Sequence, residues 1–308
     1  MKYVPETIEI MKPYLYESEG ALVIDVSKEE DKIEIPPVIV IKSDGATIYS
    51  TRDLATIYSR HKNYNPDEIW YVVDERQSLY FDGVFRASYK SKLIKENIKL
   101  KHYGFGTING PDGKPFKTRD GGVMSLEELI SILRKEIEKK VKEKNKDNID
   151  DVEEIIDKLT IATLKFTDLL PYRKTNYIFD PVKFSSLDGK TGPYVLYGIV
   201  RIKSLLKRIK EDNQIFKCIP NDDVRNILIK IVGLSSVLKQ SYNEATLNYI
   251  TDYLCEITNL FNKFYNDYNI LKEEDSNKKE SYIALIRLIY NVCHNLLDIL
   301  AIEEVDKM

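Results

Sequence analysis

Two residues four apart, Tyr49 and Asp53, stand where the apolar run ATIYS (46–50) passes into the helical pattern TRDLATIYSRHK (51–62). A carboxylate at that place can do one of two things. It can cap the first turn of a helix, where free N–H groups and the helix dipole favour negative charge. It can also face a ligand, because ligands of open α/β sheets bind beyond the strand ends. Gln77 stands in a comparable place, just past a second strand-like run in EIWYVVDERQ (68–77). Further on, GPDGKPFKTRDGG (110–122) sets Lys114, Lys117 and Arg119 in a glycine-rich loop. Later, TGPYVLYGIVRI (191–202) brings Tyr194 and Tyr197 three residues apart on one helix face.

The elements that must position these residues fall into two stretches. In the first, ALVIDV (21–26), PPVIVIK (36–42), ATIYS (46–50) and EIWYVV (68–73) have strand composition. Leu54, Ile57 and Tyr58 form a helical stripe between the last two, so strand, helix and strand predict a βαβ unit with a parallel sheet. The run HYGFGTINGPDGKPFKTRDGG (102–122) predicts a long loop. From Ser125 a serine cap, early acids and late lysines predict a helix, followed by a polar break at 144–151 and a second helix over 151–167. After another irregular stretch (172–193) the chain reads as all-helical. Leu247, Ile250, Leu254, Ile257, Phe261, Phe264 and Tyr268 step by threes and fours, as do Leu285, Leu288, Val292, Leu296 and Leu300. The expectation is an α/β part over residues 1–178 joined to an all-α part over 179–308, with no tandem repeat.

Composition narrows the function classes. The chain has 308 residues, 43% hydrophobic and 31% charged, with a net charge of −3. No apolar run reaches membrane-span length, and MKYVPETIEI lacks the apolar core of a signal peptide. Cys218, Cys255 and Cys293 are far apart, which offers no metal-ligand spacing and fits a reducing compartment. A net-negative chain can bind nucleic acid only through local basic patches, for which KSKLIKENIKLK (90–101) and RIKSLLKRIK (201–210) are candidates, or else solvated helix faces.

Four ordered blocks now stand together: KSDGATIYSTRDLA (42–55), WYVVDERQSLYF (70–81), GPDGKPFKTRDGGVMSLEEL (110–129) and FSSLDGKTGPYVLYGIVRI (184–202). With the tail AIEEVDKM (301–308) they resemble the class I arginyl-tRNA synthetases over nearly the whole chain. The resemblance implies the C-terminal half of a Rossmann-type catalytic domain followed by a helical-bundle anticodon-binding domain. It implies an ATP-dependent arginine–tRNA ligase, cytoplasmic and monomeric, acting on L-arginine, ATP with Mg2+, and arginine tRNA.

On that resemblance, Tyr49, Asp53 and Gln77 line an arginine pocket. The physics agrees: a guanidinium is planar and always charged, and pairs with a carboxylate through two parallel hydrogen bonds. Lys114, Lys117 and Arg119 fall where related enzymes hold ATP phosphates, and KPFKTR replaces the usual KMSKS. The alternative for that loop is a solvated surface turn. Gly104 and Gly106 in HYGFG would let backbone approach the adenine, or else serve a strand-to-loop turn. Tyr194, Tyr197, Arg201, Tyr265 and Met308 match positions near the anticodon, where aromatic faces stack unpaired bases; bundle packing is the alternative for each tyrosine.

Departures accompany the match. Leu196 and Ile199 stand where the family usually has Gln and His, and Tyr80 and Gly83 stand where it has His and Gln. The class I H-x-G-H signature is missing, since His61, His102 and His294 are the three histidines of the chain. The expectation is therefore a C-terminal half, as a fragment or a truncated reading frame, inactive in adenylation by itself. The competing expectation is a catalytically incomplete tRNA-binding module; an α/β–helical protein without RNA contact is the third reading.

Overall fold

The computed structural model describes residues 2–114, 124–144, 152–209 and 215–308. Lys117 and Arg119 lie outside the described residues. By packing, the chain forms two compact units, Met1–Gly106 and Thr107–Met308. The described residues between 107 and 178 thus group with the helices that follow them.

The first unit begins with α1 (Val4–Met11), then a three-stranded antiparallel sheet of β1 (Tyr16–Ser18), β2 (Ala21–Ile24) and β3 (Val38–Ile41). The run 46–50, expected as a strand, is none. Thr47 makes a single bridge to Ile41, and α2 (Tyr49–Tyr64) starts two residues later. A tight turn, in which Gly45 at φ 79° donates its N–H to the Lys42 carbonyl at 2.9 Å, brings the chain back beside β3, and the start of α2 ends the pairing after one bridge. The helix start is then tied back to β3, where Ser50 and Thr51 donate their hydroxyls to the carbonyls of Ile39 and Val40.

The parallel pair is β4 (Glu68–Asp74) with β5 (Lys99–Phe105), joined through α3 (Ser78–Lys90). The crossover helix is thus α3, not the helix over 51–62 as expected, and β5 takes up the first residues of the expected loop. Ile69 and Tyr71 point inward, 5% and 8% exposed, and Tyr71 packs on Phe81 and Phe85 at 4.8 and 5.4 Å between ring centres. Trp70 and Val72 alternate outward and are exposed. Leu54 and Ile57 of α2 complete this core, as the sequence stripe predicts.

In the second unit the two-residue strands β6 (Ile108–Asn109) and β7 (Tyr177–Ile178) pair in parallel. Around them lie α4 (Leu126–Lys144), α5 (Val152–Leu169), α6 (Pro181–Phe184) and α7 (Gly192–Arg208). The bundle closes with α8 (Asp222–Val232), α9 (Leu234–Glu244), α10 (Asn248–Asp267) and α11 (Ser276–Ile299). The entry of α4 is a reciprocal capping box: the Ser125 N–H donates to Glu128 at 2.8 Å, and the Glu128 N–H donates to the Ser125 hydroxyl at 3.2 Å. The stepped positions Ile250, Leu254, Ile257, Phe261 and Phe264 are all core. Gly198 lets α7 and α10 approach closely, since a Cβ there would lie 2.5 Å from Thr258 Cγ2. Among the described residues no helix is long and apolar enough to cross a membrane.

Candidate functional site

In the first unit, Asp53 lies too deep in α2 to cap it. The N-cap is Ile48, whose N–H donates to Thr51 Oγ1 at 3.0 Å, and the first turn carries no acid. The capping reading is thereby excluded. Asp53 is half-buried, and Tyr80 of α3 donates its phenol to Asp53 Oδ2 at 2.6 Å. The two arginines flanking it on α2 turn to aromatic rings instead: Arg52 sits 5.9 Å from the Tyr49 ring centre and Arg60 sits 5.1 Å from that of Tyr71. Among the described residues no cation makes an ion pair with Asp53.

The phenols around this carboxylate are held neutral. Burial pushes Tyr80 well above the usual tyrosine range, and its bond to Asp53 and the Asp53 charge push it further. Tyr71 is pushed up to about 12 by burial, with Asp53 adding to the rise and Arg60 opposing it. A neutral phenol donates without cancelling the charge it supports.

Other residues expected at this site are placed as follows. Tyr49 opens α2 and its ring is 79% exposed. Gln77 is exposed at the end of a single 3-10 turn after β4, three residues before Tyr80, whose phenol donates to Asp53. Gly104 lies on β5 against Glu75: a Cβ there would come within 2.8 Å of the Glu75 Cα and closer still to its carboxylate. Packing against Glu75 therefore already accounts for a glycine at 104. Gly106 ends the first unit, two residues before β6. Lys114 is exposed at the end of a Gly110–Lys114 turn, its N–H donating to Asp112 at 3.1 Å. His102 stacks flat on Phe81, with 5.6 Å between ring centres.

In the second unit the structure joins four of the five residues expected near an anticodon. Tyr194, Tyr197 and Arg201 lie on α7, opposite Tyr265 on α10. The Arg201 guanidinium carbon sits 4.4 Å from the Tyr197 ring centre and 5.6 Å from that of Tyr265, and it donates to the Tyr197 hydroxyl at 3.1 Å. Asn262, 9% exposed, ties the cluster together: its carbonyl oxygen accepts from Arg201 at 3.1 Å and its amide donates to the Tyr194 hydroxyl at 3.0 Å. That hydroxyl donates in turn to Asn259. The fifth residue, Met308, lines a small apolar cavity of about 40 Å³ with Tyr197, Pro193 and Leu159. The tail that brings it there is anchored by Lys203, paired with Glu304 at 3.2 Å and with Asp306.

Asn259, Asn262 and the Tyr80–Asp53 bond escape the sequence reading. Asn262 falls on the core stripe of α10 beside Phe261, and that apolar surround is the one signal that a polar residue there must have partners. Leu196 and Ile199, each 1% exposed, are core, so the apolar departures at those positions fill the bundle. Of the two basic stretches, 90–101 carries Leu93, Ile94 and Ile98 into the core and pairs Lys101 with Glu68 at 2.8 Å. In 201–210, Ile202 and Leu205 are buried and Lys203 is neutralised by the tail.

Residues 2–181 match the family of class I (R) tRNA synthetase catalytic domains, and residues 195–308 match the DALR anticodon binding domain. The chain is 44% identical over 315 residues to the arginine–tRNA ligase of Alkaliphilus oremlandii, covering 100% of this chain and 53% of that protein. It is 41% identical over 321 residues to that of Agathobacter rectalis, covering 99% and 54%. The chain thus spans about half the length of the curated relatives it matches. Two solved structures share the fold: arginyl-tRNA synthetase from Plasmodium falciparum, with TM-score 0.83 at 20% identity over 100% of this chain and 52% of that one, and that of Thermus thermophilus, with TM-score 0.79 at 20% identity over 100% and 58%. With the catalytic-domain match running over residues 2–181 and the anticodon-domain match following it in order, the chain belongs to the arginyl class I tRNA synthetase family.

Proposed function

We propose that this chain supplies arginine recognition and anticodon-end tRNA binding to an arginine–tRNA ligase reaction. In that reaction the arginine carboxylate attacks the α-phosphate of ATP, pyrophosphate leaves, and the arginyl group passes to the tRNA 3′ end with release of AMP. The observation that carries the reading is Asp53: a half-buried carboxylate with a phenol donor and no ion-pair partner among the described residues. Leaving a carboxylate half-buried and unpaired is costly, and a guanidinium is the ligand that matches it with two parallel hydrogen bonds.

Around this anchor we assign Tyr49 and Gln77 to the same arginine site, with the exposed ring of Tyr49 closing over the ligand. Lys114, Lys117 and Arg119 are assigned to the phosphates of ATP, which brings Mg2+ with it, and Gly104 and Gly106 to its adenine. Tyr194, Tyr197, Arg201, Tyr265 and Met308 form the tRNA-facing surface. Functionally, residues 1–178 serve activation and 179–308 serve the anticodon, in a cytoplasmic monomer.

The chain by itself is a recognition module with an incomplete adenylation site. Its three histidines are dispersed at 61, 102 and 294, so it holds no H-x-G-H pair to stabilise charge at the α-phosphate. Pyrophosphate exchange with arginine, ATP and arginine tRNA tests this: the purified chain is expected to bind L-arginine in an NMR titration yet show no exchange. Robust exchange would overturn the incomplete-site reading, and absence of arginine binding would overturn the recognition reading.

A further inference from the structure

The Tyr80–Asp53 hydrogen bond poses a question that the arginine reading leaves open. A carboxylate on a helix turns about its own side-chain bonds, and a two-pronged guanidinium needs both oxygens in the plane of its fork. Something must hold that plane before the ligand arrives, or binding bears the ordering cost.

We propose, building on the arginine reading, that Tyr80 is the positioning residue that fixes the Asp53 carboxylate plane and thereby selects arginine over lysine. The phenol engages Oδ2 at 2.6 Å from α3, while Asp53 stands on α2, so the bond spans two helices and does not follow the motion of either alone. Tyr80 is itself fixed: its ring stands edge-on to Phe81, with centres 5.1 Å apart at 82°, and Phe81 is 4% exposed in the core. A carboxylate has about four lone-pair sites, so one donor at Oδ2 leaves room for both prongs of a guanidinium. A cation in the place of Tyr80 would supply the same hydrogen bond but would neutralise Asp53 and compete with the ligand. The neighbouring Arg60 does not fill that role, because its guanidinium lies over Tyr71.

Lysine reads this arrangement differently. An ammonium is a compact point charge with rotatable donors and needs no fixed carboxylate plane. Loss of the phenol should therefore weaken arginine and leave the weaker binding of lysine little changed. A residue that merely supported the fold would weaken both alike.

The test is an NMR titration of the 308-residue chain with L-arginine and with L-lysine, for the parent, Tyr80→Phe, Tyr80→His and Asp53→Asn, with thermal unfolding of each as the fold control. The expected result is that Tyr80→Phe weakens arginine about tenfold, the loss of one hydrogen bond to a charged group, and changes lysine less than twofold. Tyr80→His should recover part of the preference at alkaline pH, where the neutral ring donates its N–H, and lose it as pH falls and the ring becomes a cation. Unchanged arginine binding in Tyr80→Phe, or an equal loss for both ligands, would overturn the positioning role while leaving the arginine site standing. Unchanged arginine binding in Asp53→Asn, or no arginine binding by the parent, would overturn the arginine site and the positioning role together.

Discussion

The two candidate sites set charges of opposite sign among neutral partners. In the first unit the charged group is Asp53, and its neighbours leave its charge uncancelled: Tyr80 donates as a neutral phenol, and Arg52 and Arg60 turn to aromatic rings. In the second unit the charged group is Arg201, held between two tyrosine rings at 4.4 and 5.6 Å, with Asn262 and the Tyr197 hydroxyl accepting two of its N–H groups. A site that recognises a small cation must keep a countercharge open. A site that stacks bases must keep flat surfaces in place, and there the cation serves as a fixed spacer between rings. Both charges thus rest on neutral groups, but the first is a carboxylate open to a cation and the second a cation built into a layer of rings.

The first site is most exposed to change at Asp53. Asp53→Asn keeps the shape and removes the charge, so L-arginine affinity of the chain should fall by about 2–4 kcal/mol, the scale for a desolvated charge pair. Affinity for arginine tRNA, measured in parallel by filter binding, should not change. A loss in both would mean that the two sites are not separable.

The reciprocal change is Tyr197→Ala. It removes one ring from Arg201, and tRNA affinity should fall by about 1–3 kcal/mol, the range for loss of one stacking platform. Arginine binding should be untouched, and the loss should shrink with a tRNA altered in its anticodon loop. Equal affinity for both tRNAs would return these tyrosines to bundle packing.

Asn262→Ala sharpens the contrast, because it leaves every ring present. Arg201 and Tyr194 each lose a partner in a place 9% exposed, so stability should drop by about 1–3 kcal/mol in urea unfolding. If the rings depend on Asn262 for their placement, tRNA affinity falls as well; if they hold by packing, stability falls alone.

The smallest effect is expected at the tail that carries Met308. The Lys203 hydrogen bond holds the Asp306 carboxyl below its ordinary 3.8, so its contribution is present above pH 3.8 and is lost as pH falls through the lowered value. Asp306 is 69% exposed, and solvent screening limits the contribution to about 0.5 kcal/mol or less. Asp306→Asn should therefore shift the unfolding midpoint slightly at pH 7, and progressively less as pH falls below 3.8. A large shift at pH 7 would show that the tail is a principal anchor of the bundle.

The helices were the part of the fold most open to reading in advance. Ser125 with Glu128 announces the start of α4, and the threes and fours of 250–264 announce a core face; both signals lie within a few residues of one another. Strand β5, KLKHYGF, gave no such signal, because Lys99, Lys101 and Phe105 lie on the open side of a two-stranded pair and the alternation is diluted by polar groups. ATIYS misled in the other direction: its composition suits a strand, but α2 begins at Tyr49 and leaves room for one bridge.

Local order along the chain determined the family, the bundle helices and the residues Tyr49, Asp53, Tyr194, Tyr197 and Arg201 as candidates, since motif spacing and helical period are properties of neighbouring residues. Only the tertiary structure decided what those residues touch. Tyr80 meets Asp53 across 27 positions and Asn262 meets Arg201 across 61. It also removed Asp53 from the cap, because the helix began at Tyr49 once Ser50 and Thr51 were tied to β3. Hydrogen bonds and ring contacts depend on which faces two helices turn to each other, and that is set by the packing of the whole core, to which the Cβ-free approach at Gly198 contributes.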